Sequence, residues 1–405
     1  MKTAVMKRLI LSLLLILVFL SGKSQQLFYL HDIPANPNFG VALQDSHLFV
    51  IKNFGVSAFN ISQPVSPVFI SSVTPQYWPL TLYADGDYLY CGGGMVGQLA
   101  VLDISQPATM TIVHQDPGVT GTVYQFAKSI QHLYFTSNQD TLFTADISNA
   151  TTPVITSRIS LNQTFTEGAA TAGNRLFLGS TGGILVYDLT NPAQPVYQSS
   201  YPGNFRKLSY NQQDQQLYTL NANGDIAVYN ATNLNALAFQ YSIPADASNF
   251  TAVGKRLAIL TNGGGVTLME AGSTSANILG TFNTPAPGGQ QNAIAMQDSI
   301  IAYTTVNSTY LLKYGFVNPQ GIPETSSYQN GWISFCFTDE SLKWNTPEEL
   351  KQLIQNTRIF DATGREVFRS NNTASYKMNT GSLPLAYQIE LKNGHVIHGR
   401  ITIEQ

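Results

Sequence analysis

Two cysteines in 405 residues, Cys91 and Cys336, are too few for a disulfide framework. Each sits in an apolar strand-like run with no histidine near it, so both read as buried free thiols rather than metal ligands. Charge is scarce as well. Asp, Glu, Lys and Arg make up 11% of the chain, against about 25% in an ordinary soluble domain. Net charge is -3, and no basic block occurs, which excludes a nucleic-acid footprint. Beyond residue 24 no apolar run approaches the ~20 residues of a spanning helix, so no transmembrane segment is expected after the leader.

That leader is short and distinct. Lys2, Lys7 and Arg8 precede an apolar run over residues 9–20, and Ser21-Gly22-Lys23-Ser24 supplies small residues before Gln25. The pattern is that of a signal peptide over residues 1–24. No cysteine follows the run, which argues against a lipoprotein. The mature chain is therefore expected outside the cell or on the outer-membrane surface.

What the chain does have is a period of about 42 residues. The clearest copy reads Arg175-Leu176-Phe177-Leu178-Gly179, a turn at Gly182-Gly183, then Ile184-Leu185-Val186-Tyr187-Asp188-Leu189-Thr190 and Asn191-Pro192. Positions equivalent to Asp188 are Asn60, Asp103, Asp146, Asn230, Glu270 and Lys313. The first five units carry Asp or Asn there, and the last two do not. Each unit reads as four short strands separated by Gly, Asn, Asp and Pro turns, which indicates an all-β fold. A fixed period of this length indicates propeller blades. Seven units fill residues 38–315, and six or eight remain compatible if the last is miscounted. The seventh lacks a fourth strand. Residues 27–30, ahead of unit one, are expected to supply it and close the ring.

The run Leu99-Ala100-Val101-Leu102-Asp103-Ile104-Ser105-Gln106-Pro107, with its counterpart through Asp188 and Pro192, resembles the LVIVD repeats. That resemblance implies propeller blades of bacterial surface proteins and no single activity. The fold expected is all-β: a seven-bladed β-propeller over residues 25–316, then a small C-terminal β-sandwich-like domain.

Composition shifts near Phe316. Residues 317–331 read as a Pro-, Gly- and Ser-rich linker. In residues 332–405 a strand is expected over 332–337 and a short helix from Thr346-Pro347-Glu348-Glu349 to about Gln355. Two hairpins follow, one through Ala362-Thr363-Gly364 and one through Asn393-Gly394. The elements Ile359-Phe360-Asp361-Ala362-Thr363-Gly364-Arg365, Leu383-Pro384-Leu385-Ala386-Tyr387 and Gly399-Arg400-Ile401-Thr402-Ile403 resemble the C-terminal sorting domain of type IX secretion in Bacteroidetes-like bacteria. Asp361, Gly364, Arg365, Leu383 and Tyr387 carry the motif. Ala386 stands where the family usually has Gly, and the chain ends in Glu404-Gln405 rather than a basic residue. The resemblance implies that the type IX machinery is a partner.

No catalytic pattern emerges. His31, His47, His114 and His132 fall at different repeat positions and read as surface or turn residues, and carboxylates do not recur at one inner register, as acid–base or metal chemistry would require. The repeated Asp is expected to close an Asx turn. Asp85-Gly86-Asp87 reads as a hairpin turn rather than a calcium loop. Gly92-Gly93-Gly94 and Gly263-Gly264-Gly265 lack the following helix of a phosphate cradle and read as hairpin turns. No metal or cofactor is expected.

One feature points to binding. An aromatic stands at or before the inner strand in most units, giving Trp78, Tyr124, Phe165, Phe205 and Phe250 as candidate ligand contacts, with Glu167 and Arg206 beside them. Packing between blades is the competing explanation. The reading is a secreted or surface binding propeller for an extracellular protein or glycan, and not an enzyme. A polysaccharide hydrolase or lyase with catalytic residues on its loops, or a structural surface component, are the alternatives.

Overall fold

The computed structural model describes residues 24–34, 38–94, 98–116, 118–161, 168–283, 293–318, 322–323, 334–338, 341–345, 354–360, 366–371, 376–377, 385–391 and 396–401. Of the expected leader over residues 1–24, only Ser24 lies among them. Two compact units divide the chain: Leu27–Tyr314 holds the repeats, and the second includes Gly315–Gln405.

Within the first unit, each of the first six repeats forms one four-stranded sheet in sequence order. In the fourth repeat the strands are Gly168–Ala172, Arg175–Ser180, Gly183–Asp188 and Val196–Tyr201, antiparallel throughout. The second and third strands are buried on both sides, because a neighbouring sheet covers each face. Their apolar residues therefore run on without alternating, as in Leu176-Phe177-Leu178 and Ile184-Leu185-Val186. The fourth strand is the outer edge and alternates; Val154–Ser160 in the third repeat switches between exposed and half-buried at every residue.

Clusters of apolar side chains join each sheet to the next. Phe177, Ile184 and Val186 of the fourth repeat pack with Phe205, Leu208 and Leu217 of the fifth. The first strands touch in order around a closed cycle: Asn38–Gln44, Pro79–Asp85, Val123–Ser129, Gly168–Ala172, Phe205–Asn211, Ala247–Val253 and Ile294–Gln297, the last returning to the first. The expected closure is present. The N-terminal strand Ser24–Pro34 pairs with Ser308–Asn318 as the outer strand of the seventh sheet. Leu30 and Ile33 are buried there with Val41, Leu48, Ala302 and Leu311, and the Thr304 hydroxyl donates to the Phe39 carbonyl at 2.8 Å.

The repeat phase read from Asp188 is the structural phase. All seven aligned residues pair with the first residue of their second strand, from His47↔Asn60 to Ile300↔Lys313. In the first five repeats the side-chain oxygen accepts the N–H two residues on: Ser62 to Asn60, Ser105 to Asp103, Ser148 to Asp146, Thr190 to Asp188 and Thr232 to Asn230, at 2.6–2.9 Å. These are Asx turns. Accepting these bonds holds the Asp146 carboxyl below the usual range. At Asp188 the Thr190 hydroxyl and N–H do the same, helped by Arg175.

Several expectations need correction. Gly92 and Gly93 lie in the strand Tyr88–Gly93 rather than in a turn. A Cβ on Gly92 would meet the Val123 side chain of the next sheet at 2.7 Å, so glycine here permits close sheet packing. Gly264 and Gly265 do occupy a turn, at φ 85 and 135. Part of the expected linker is strand: Val317 and Asn318 pair with Pro323 and Ile322.

In the second unit, Glu366–Ser370, Ile354–Phe360, Leu385–Leu391 and Val396–Ile401 form a four-stranded antiparallel sheet in that order. Both expected hairpins are present in it. Ile354 and Gln355 begin a strand, so the expected helix does not reach Gln355; its remaining residues lie outside those described. Ser334–Thr338, Ser341–Asn345 and Tyr376–Lys377 make a second, three-stranded sheet. Asp361, Gly364, Arg365 and Leu383 lie outside the described residues. Tyr387 is half-buried in its strand, and burial raises its hydroxyl pKa.

Candidate ligand-binding site

The first strands enclose a cavity of about 1090 Å³ on the axis of their cycle. Short apolar residues such as Val41, Ala42 and Ala295 line it beside neutral polar ones: Gln125, Ser248, Asn249, Thr251 and Asn262. Among the described lining residues the charged side chains are Arg206 and Lys207, and none is a carboxylate, a histidine or a cysteine. Burial pushes the hydroxyl of Tyr83, another lining residue, up to about 12, so it stays protonated at neutral pH.

Gln125 shapes the site. Its Nε2 donates to the Ala169 carbonyl at 2.9 Å and the Leu208 carbonyl at 3.1 Å, tying the third repeat to the fourth and fifth. Two carbonyl partners fix the orientation of the amide, since only the nitrogen can donate. The Oε1 is left buried without a hydrogen-bond partner. Beside it, Lys207 Nζ donates to Asn249 Oδ1 at 2.5 Å across the fifth and sixth repeats.

The sequence-derived candidates separate. Tyr124 and Arg206 line the cavity. Phe205 and Phe250 do not: they are 6% and 0% exposed, each inside an apolar cluster between two sheets. A bulge in the first strand at Phe205/Lys207, and another at Ala247/Asn249, shifts which residues face inward. Trp78 is 56% exposed and stacks on Phe54, outside the cavity lining. The expected ring of aromatics is thus not formed by these residues. Phe165 and Glu167 lie outside the described residues. Gln125, Asn249 and Thr251 were not among the candidates, and as neutral residues without a recurring register they carry no sequence signal.

The four histidines of the repeat unit do not gather. His47 and His132 head second strands, His114 is in a fourth strand, and His31 is in the N-terminal strand, where burial lowers its pKa. Cys91 is a buried free thiol, and burial pushes its pKa far up. Lys128 pairs with Asp85 across the second and third repeats, and Gly86 turns at φ 58 beside it, so Asp85-Gly86-Asp87 is the expected hairpin.

Residues 81–115 match the LVIVD repeat. That stretch runs from the first to the fourth strand of the second repeat. No curated protein matches the sequence. A chain in a crystal structure of a mitotic checkpoint complex is similar over 70% of this chain and 93% of that chain, with 13% identity and a TM-score of 0.55. At that identity the likeness concerns the fold alone. The chain is a repeat protein with a β-propeller-like, all-β fold. Among the described residues no helix is long and apolar enough to cross a membrane.

Proposed function

We propose that this chain is a seven-bladed binding propeller, exported to the cell surface or beyond, that recognises an extracellular glycan or protein at its axial cavity without transforming it. The observation that carries this reading is the cavity lining. It combines apolar surface, neutral amides and hydroxyls and two cations, a mixture that orients a ligand by hydrogen bonds. Acid–base or nucleophilic chemistry would call for a carboxylate, imidazole or activated thiol at the reacting atoms.

The test is a glycan and peptide array probed with the mature chain and with Tyr124→Ala and Arg206→Ala. Binding lost in both variants, with melting unchanged, supports the site. Turnover of any bound polymer contradicts the binding-only reading.

For export, the signal-peptide pattern and the tail's resemblance to type IX sorting domains support passage by that route. Deleting residues 332–405 should leave the repeat unit folded and strand it inside the outer membrane. Surface display of the truncated protein would remove the sorting role.

A further inference from the structure

Call the upper face of the repeat unit the one at which the first strands begin. It carries Phe39, Tyr124, Arg206 and the 2–3 turns at Asn223 and Asn262, all of them at the cavity. Ten large apolar residues are the most exposed of those described, and Trp78 alone lies on this face. The others sit at the opposite end, at the end of the first strand, in the turn after it or near the start of the fourth.

Trp78 is backed by an unusual turn. His47–Lys52 and Gly55–Asn60 are joined by only Asn53 and Phe54, at φ 51 and 65. This is a type I′ hairpin, which favours Asn followed by Gly. A bulky aromatic at positive φ is a backbone outlier, and such strain is held where the side chain is needed. The Phe54 ring stacks on Trp78 with centroids 4.3 Å apart and planes 27° apart. The backbone around Trp78 is pinned too. Its carbonyl accepts from the Gly94 N–H at 2.8 Å, and the Gln76 N–H donates to Gln115 Oε1 at 2.8 Å.

We infer that Phe54 and Trp78 form a rigid stacking platform for one ring of a neutral sugar chain, an inference that rests on the reading of the chain as a binding propeller. Phe54 covers part of the indole, and the 56% exposure leaves stacking surface open to solvent. The residues beside the pair in the chain, Asn53, Gln76 and Tyr77, are uncharged and carry hydrogen-bonding groups. Lys52, the nearest cation in sequence, directs its Nζ over the Phe59 ring, 6.0 Å from the centroid. A stable protein partner would need roughly 800 Å² on this side, and an isolated aromatic pair is far smaller. A pyranose ring matches it in size and polarity, with carbon–hydrogen faces to stack and hydroxyls for the amides.

The probes are linear gluco-, manno- and xylo-hexaoses, titrated calorimetrically into the mature chain. At least one should give a saturable binding heat, and Trp78→Ala should weaken its binding about tenfold or more while melting stays unchanged. Trp78→Phe, which keeps an aromatic face, should retain part of the affinity. Phe54→Gly is the sharper variant: it suits the turn better, so melting should hold or rise while binding falls. The inference is overturned if no hexaose binds, or if Phe54→Gly lowers melting and leaves binding intact. A hexaose bound equally by Trp78→Ala but lost on filling the cavity with Thr251→Trp would also overturn it, while leaving the cavity reading standing.

Discussion

The first five repeats and the last two differ at one position. Asn60, Asp103, Asp146, Asp188 and Asn230 each close an Asx turn, whereas Glu270 and Lys313 do not carry the side chain for it. Yet the next residue donates its N–H to the turn before the second strand in all seven, from Ile61 to the Ser46 carbonyl through Ala271 to Lys255 and Tyr314 to Ser299, at 2.7–3.0 Å. The backbone bond and the packing between sheets therefore define the repeat, and the side-chain turn is an added restraint. Glu270 uses its freedom for a surface ion pair with Lys255 at 3.1 Å.

The hierarchy of burial over turn chemistry can be broken in order. Removing residues 24–33 takes the outer strand from the seventh sheet, with Leu27, Leu30 and Ile33. It should cause the largest loss of any change considered, seen as loss of the cooperative melting transition. Phe250→Ala, at a fully buried ring between the fifth and sixth sheets, should cost about 3–5 kcal/mol in denaturant unfolding. Asn230→Ala removes the acceptor for the Thr232 N–H and hydroxyl and should cost roughly 1 kcal/mol. Glu270→Ala, at an exposed pair, should fall within about 0–1 kcal/mol. An Asn230→Ala effect as large as that of Phe250→Ala would mean that the turns, not the core, hold the repeats.

Acid gives the mildest contrast. Asp146 and Asp188 have folded pKa values below the unfolded 3.8. Their contribution is fully present above that value and is lost as pH falls through the folded one. Asn60 and Asn230 make the same turn without a proton to gain. Asp146→Asn with Asp188→Asn should therefore flatten the fall in melting temperature between about pH 5 and pH 2. An unchanged acid profile would show that other groups govern it.

The repeat phase was legible because Asp or Asn followed by Ser or Thr and Pro marks a strand end locally, and its spacing counts the units. Closure was legible from the missing fourth strand. The site was less so. Counting from strand starts placed Phe205 and Phe250 at the channel, but the bulges at Phe205/Lys207 and Ala247/Asn249 change the alternation by one residue. The rings turn into the gaps between sheets, where apolar area is best buried. Gln125 reaches carbonyls 44 and 83 residues away, a relation no local pattern records. The φ of Phe54 was hidden as well, since Asn-Phe is not a sequence signal for a type I′ turn.

The ligand is proposed to sit in the cavity enclosed by the first strands. Thr251 lines it from the middle of the sixth repeat's first strand. The direct measurement is calorimetric titration of Thr251→Trp with whichever ligand the array identifies, alongside its melting curve. The account predicts an unchanged melting temperature, because the cavity has room for an indole, and binding reduced below detection. Undiminished binding by the folded variant would contradict it and move the ligand off the axis.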